Sequence, residues 1–146
     1  GRVTPFETRG HVALAGTFGY ELDITKIPEE DRQQIPAQTA MYHKYNDLIR
    51  RGDYWRIASY LENGSYDCYM VAYKDKKEAL ITYVQVLSRP NFHSRRVRLK
   101  GLSPENRYRI EETGEVLGGD VLMQAGMLIA PLWGDYRSRL IHLIEA

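Results

Sequence analysis

The sequence predicts a mainly β chain that opens on one strand–helix unit and continues as an antiparallel β-sandwich. Three observations carry this. The run His11-Val-Ala-Leu-Ala-Gly16 is small and continuously apolar, as in a parallel strand covered on both faces. A helical pattern extends from Pro28 to about Arg51. After Gly52 the helical period fades into short strands separated by turn residues. One strand and one helix bury no core by themselves, so such a unit normally belongs to a larger parallel sheet or barrel. The chain starts at Gly1 rather than at Met and is expected to be the C-terminal piece of a larger protein.

In order, residues 1–10 read as a polar, turn-rich lead into the strand, which ends at Gly16-Thr17-Phe18-Gly19. The helix is announced by Ile27-Pro28-Glu29-Glu30-Asp31. An early Pro wastes no N–H there, and first-turn acids complement the dipole. Pro36 lies well inside the pattern and is expected to kink the helix or divide it near Ile35. Met41, Tyr45, Leu48 and Ile49 then recur at three- and four-residue spacing up to Arg50-Arg51-Gly52. Tyr54–Ile57 reads as a short strand, and Glu62–Ser65 as a turn. Tyr66–Tyr73 and Ala79–Leu87 read as a hairpin around the charged tip Lys74–Lys77. Arg95–Leu99 and Tyr108–Glu111 are two more strands, joined through Gly101 and Pro104. Asp120 is expected to cap a short helical turn, and Arg137–Ile144 closes the sheet.

A net charge of +1 gives no electrostatic case for a nucleic-acid partner. The basic run from Arg95 to Lys100 alternates as the wet face of a strand does. No segment reaches the roughly 20 apolar residues that span a bilayer, so no membrane role is expected. The single Cys68 excludes an internal disulfide and agrees with a reducing, cytoplasmic location. Cys68 itself reads as an inert core thiol in an apolar strand.

No complete catalytic constellation is visible. His11, His43, His93 and His142 have no metal-ligand spacing with one another or with Cys68. Glu21 and Asp23 lie two apart beyond the strand end. Paired acids serve glycoside hydrolysis, but acids before a helix are more often loop or capping groups. Neither Gly16–Gly19 nor Gly118-Gly119-Asp120 completes a dinucleotide or phosphate loop. Tyr54, Trp55, Tyr60, Tyr66 and Tyr69 offer aromatic faces of the kind that stack on sugars.

Several phrases, in one order along nearly the whole chain, resemble the bacterial and fungal α-galactosidases of glycoside hydrolase family 36. They are Gly1-Arg-Val-Thr-Pro-Phe-Glu-Thr-Arg-Gly10, Gly16-Thr-Phe-Gly-Tyr-Glu-Leu-Asp23, Leu99-Lys-Gly-Leu102, Tyr108-Arg-Ile, Thr113-Gly-Glu-Val, Gly118-Gly-Asp120, Leu122-Met and Gly134-Asp-Tyr-Arg-Ser-Arg-Leu140. The second phrase is the most specific. The resemblance implies that residues 1–51 are the last strand and helix of a (β/α)8 catalytic barrel. Residues 52–146 are then the C-terminal antiparallel sandwich. It also implies retaining hydrolysis of terminal α-1,6-linked galactose without metal or organic cofactor, in a homo-oligomer that is commonly a tetramer. The family's two catalytic Asp lie in motifs that this sequence lacks, so none of its residues is carried over as catalytic and the segment alone is expected to be structural. Gly16, Thr17 and Phe18 are the candidates for an active-site rim, because barrel active sites sit at the C-terminal strand ends. A carbohydrate-binding or oligomerisation sandwich module is the alternative reading.

Overall fold

The computed structural model describes residues 3–91 and 93–146. The first element is a helix, α1 (Phe6–Ala13), which takes the place of the polar lead predicted for residues 1–10 and of the strand predicted from His11. A short apolar run fits either state by composition, and here the burial has a helical period. Phe6, Gly10 and Leu14 are buried at four-residue steps, while Val12 is 48% exposed. Gly10 lets the helix approach its neighbour closely, since a Cβ there would lie 2.6 Å from Gln38 Cδ.

The second helical pattern divides in two at the predicted place, into α2 (Glu29–Arg32) and α3 (Ile35–Arg51). Pro36 falls in the first turn of α3, where its missing N–H leaves no bond unmade. Gln38, Tyr45 and Leu48 are buried along one stripe of α3. Gly52 ends the helix, and its N–H donates to Leu48 O at 2.8 Å.

The β elements follow as β1 (Asp53–Ala58), β2 (Tyr66–Ala72), β3 (Glu78–Gln85), β4 (Arg95–Val97), β5 (Arg107–Ile110), β6 (Val116–Gly118), β7 (Met127–Ile129) and β8 (Arg137–Glu145). Short helices α4 (Tyr60–Asn63) and α5 (Gly119–Gln124) interrupt them. Six strands form one antiparallel sheet in the order β1-β2-β3-β8-β5-β6, and β4 pairs with β7 in a second. The fold is thus mainly antiparallel β, as the sequence predicts, with the β2–β3 hairpin in register from Tyr66↔Gln85 to Ala72↔Ala79. Two details differ. The strands expected at Arg95–Leu99 and Tyr108–Glu111 lie in different sheets, because the intervening chain crosses the sandwich and buries Leu99 and Leu102 in its core. Asp120 lies inside the first turn of α5, whose N-cap is Gly118.

The large sheet is covered on both faces. Cys68, Met70, Ile81, Tyr83 and Leu143 point into a core closed by Val97, Leu122, Met127 and Ile129. On the opposite face, Val71 and Leu80 pack under Tyr45 and Leu48 of α3, with Met41 beside them. The helix bearing Met41 and Tyr45 therefore meets an apolar sheet face, as its pattern predicts. Every residue of β3 from Ala79 to Gln85 is buried, which accounts for its unbroken apolar character.

Candidate functional site

The two helices and the large sheet meet in a polar seam. Ser138 on β8 receives α1: its Oγ lies 2.8 Å from Thr8 Oγ1 and 2.8 Å from His11 Nδ1. All three side chains are buried. Burial pushes the His11 imidazole below its usual pKa of 6.5, against the pull of Glu7. Next to this seam a cleft of about 630 Å³ opens between α1, α3 and the strands, with His11, Met41, Tyr45, Leu128 and Ile141 among its walls.

The second polar cluster lies where α3 crosses β8. His142 is 3% exposed, with Nε2 2.7 Å from Glu78 Oε1 and Nδ1 3.3 Å from Glu111 Oε2. The Tyr45 ring stands edge-on to it at 5.0 Å, and Lys44 Nζ lies 3.5 Å from Glu111 Oε2. Burial raises the Glu111 carboxyl, but the facing His142 and Lys44 outweigh it and hold the pKa below the usual value. The Lys44–Glu111 pair ties α3 to the end of β5. Sequence reasoning missed the cluster. Glu78 and His142 are 64 residues apart, and only the β3–β8 register, Leu80↔His142, sets them diagonally on one face.

The rim candidates follow a helix rather than ending a strand, so the positional reason for choosing them is removed. Gly16 and Thr17 are exposed, and Phe18 stacks on Tyr42 at 5.4 Å. Phe18 also meets Tyr20 edge-on at 5.4 Å, and Tyr20 OH donates to Gln38 Oε1 at 2.8 Å. Two aromatics two residues apart on one side give this segment the period of a strand, although it pairs with no strand among the described residues.

Asp23 is occupied locally. Its Oδ1 accepts from Thr25 N–H and Oγ1, at 3.1 and 2.6 Å, and Lys26 Nζ lies 3.2 Å from Oδ2. The Thr25 hydroxyl, then Lys26, lower its pKa. It is a turn carboxylate, as loop acids before a helix usually are. Among the described residues no three His, Cys, Asp or Glu side chains are grouped to hold a metal. Cys68 is fully buried, and burial pushes its thiol up to about 12, which makes it an inert core residue. The basic run alternates as expected, with Arg96 and Arg98 exposed and Val97 and Leu99 buried. Lys100 Nζ donates to Arg56 O at 3.0 Å.

The five strand aromatics separate. Trp55 packs against Gly101, and Tyr66 stacks on Tyr83 at 5.3 Å beneath the Arg95 guanidinium. Tyr54, Tyr60 and Tyr69 line one cleft between α4 and the sheet.

Comparison with known proteins matches residues 66–143 to the model of the glycosyl hydrolase family 36 C-terminal domain and residues 1–52 to the melibiase model. α-Galactosidase AgaA of Geobacillus stearothermophilus is 41% identical over 143 residues, which is 98% of this chain and 19% of that protein. α-Galactosidase Mel36A of Lactobacillus acidophilus is 37% identical over 142 residues, 97% of this chain and 19% of that protein. The solved galactosidase domain of AgaSK, an α-galactosidase–sucrose kinase, superposes with a TM-score of 0.95 at 36% identity. It covers all of this chain and 20% of that one. A variant of AgaA in complex with raffinose superposes at 0.93 with 40% identity, again over all of this chain and 20% of that one. The chain thus spans about a fifth of the length of these relatives.

Proposed function

Because this chain belongs to glycosyl hydrolase family 36, we propose that it serves as the C-terminal part of a retaining α-galactosidase acting on terminal α-1,6-linked galactose. The observation that carries the reading is the buried α3–sheet face. Residues matched by the melibiase model and residues matched by the C-terminal domain model share one apolar contact, Tyr45 and Leu48 on Val71 and Leu80. In this role the sandwich closes against the catalytic domain and holds its terminal helices. Retaining glycosidases need two carboxylates about 5 Å apart, and the reading assigns both to the part of the polypeptide outside these residues.

Within the segment, Gly16, Thr17 and Phe18 contribute to the rim of the substrate site. What supports a rim role is exposure of Gly16 and Thr17 beside an aromatic anchor that fixes the loop. Substrates of the raffinose and melibiose type, a homo-oligomeric state and a cytoplasmic location complete the proposal. The solved AgaA variants hold raffinose and stachyose.

The test compares two samples on an aryl α-galactoside. The natural polypeptide carrying this sequence is expected to release galactose, and the 146-residue segment alone is expected to release none. Release by the segment, or none by the whole polypeptide, overturns the reading. Thr17→Val in the whole enzyme is expected to raise KM; an unchanged KM removes Thr17 from the rim.

A further inference from the structure

The cleft beneath α4 has the composition of a sugar site. It encloses about 340 Å³ and is lined by Tyr54, Arg56, Ser59, Tyr60, Asp67 and Tyr69 among others. The ladder explains how they meet. Arg56 pairs with Tyr69, so both point to one face, and Tyr54 stands two residues before Arg56 on the same side. The Tyr54 and Tyr69 rings lie 5.7 Å apart at 30°. After Arg56 the register shifts, a bulge that turns the strand end toward Ser59 and α4. β1 is the edge of its sheet, and Tyr54 is 55% exposed.

The polar groups are only partly engaged. Asp67 Oδ1 accepts the Tyr60 N–H at 2.7 Å. Among the described residues, Asp67 Oδ2 takes no hydrogen bond, and the Arg56 guanidinium has no hydrogen-bond or ion-pair partner. One cation and one carboxylate in the same lining leave little net field to select an ion. Both groups are planar and match a pair of neighbouring hydroxyls, Arg by donating and Asp by accepting. Tyrosine faces offer apolar area that takes the C–H side of a pyranose. The volume lies at the lower end of small-ligand sites, the size of one or two sugar units.

We propose that this cleft binds a neutral saccharide unit, with Tyr54 and Tyr69 against its C–H face and Arg56 and Asp67 on its hydroxyls. The saccharide class stands on the cleft's own chemistry. Its assignment as a galactosyl unit rests on the function proposed above. The axial 4-hydroxyl of galactose leaves C–H groups of carbons 3, 4 and 5 together on one face, an apolar patch for a phenol ring.

Hydrogen–deuterium exchange on the natural polypeptide tests this, with free galactose as the probe because the proposed reaction leaves it unchanged. The expected result is saturable protection of peptides covering residues 53–69, including the Tyr60 amide, with a Kd on the order of 1 mM. Tyr54→Ala and Arg56→Ala, both at exposed positions, are each expected to weaken it about tenfold. Absence of protection, or equal protection by glycerol, overturns the cleft. Equal protection by glucose overturns the galactosyl assignment. The two readings fail separately. Hydrolysis of the aryl galactoside without protection here sinks the cleft alone, and protection without hydrolysis sinks the activity alone.

Discussion

Ser138 Oγ and His11 Nδ1 meet at 2.8 Å although 127 residues separate them. The same hydroxyl also reaches Thr8, so one serine on β8 holds two residues of α1. Ser138→Ala leaves two buried polar groups without their partner and is expected to cost about 1–3 kcal/mol, read by denaturant unfolding. His11 adds a pH dependence. Its folded pKa is depressed below 6.5, so the unfolded chain binds the proton more readily. Stability is therefore fully present above pH 6.5 and is lost as the pH falls below that value. Midpoints recorded from pH 8 to 5 should decline, and His11→Gln should flatten the part of the decline nearest pH 6.5. An unchanged slope in that variant rules His11 out as its source.

The contact between α3 and the sheet is expected to behave as a core. Leu48 is 2% exposed above Val71 and Leu80. Leu48→Ala should cost about 2–5 kcal/mol. Amide exchange within 35–51 should accelerate more than that of β2 and β3, which keep their second core beneath. Uniform acceleration throughout would show that the two layers open together.

Gly119 packs against the Ser103 carbonyl so closely that a Cβ has no room, and that Cβ would also come within 3.0 Å of the Tyr108 ring. Its N–H donates to Asn106 O at 2.8 Å, which fixes the loop after Leu102. Gly119→Ala is expected to destabilise by about 3 kcal/mol through overpacking against backbone. A thermal melt within a degree of the parent would show that the loop yields.

Cys68 should resist alkylation at pH 8 until the chain unfolds. Its thiol is fully buried and pushed up to about 12, so thiolate is scarce at that pH. Mass spectrometry after iodoacetamide, with and without denaturant, reads the difference. Labelling at equal rates in both conditions would place the sulfur in reach of solvent.

Alternation and turn chemistry made much of the sandwich legible. The β2–β3 hairpin, with Lys76 at φ 60° in its charged tip, appears where the residues place it. The stripe on α3 did as well, since Met41, Tyr45, Leu48 and Ile49 all join the cluster against the sheet. Val12 to Ala15 reads as a strand because four apolar residues carry no period of their own; the deciding contacts, Phe6 buried and Gly10 against Gln38, come from outside the run. The three-residue strands β6 and β7 offer too few residues for a pattern. The His142 cluster and the tyrosine cleft depend on register, and a residue's partner across a sheet is not written in its neighbours along the chain.

The position of β8 bears on how the molecule is made. It follows every other strand in the chain, yet it lies between β3 and β5 in the sheet. As the polypeptide emerges during synthesis, β1-β2-β3 can assemble as one ribbon and β5-β6 as another, with nothing to join them. Until residues 137–145 arrive, Leu80 and Ile81 have one flank open, and α1 has no Ser138 to settle on. Completion of the sheet and docking of the N-terminal helix are thus a single late event. A nascent chain stalled before residue 137 should be a ready client for chaperones.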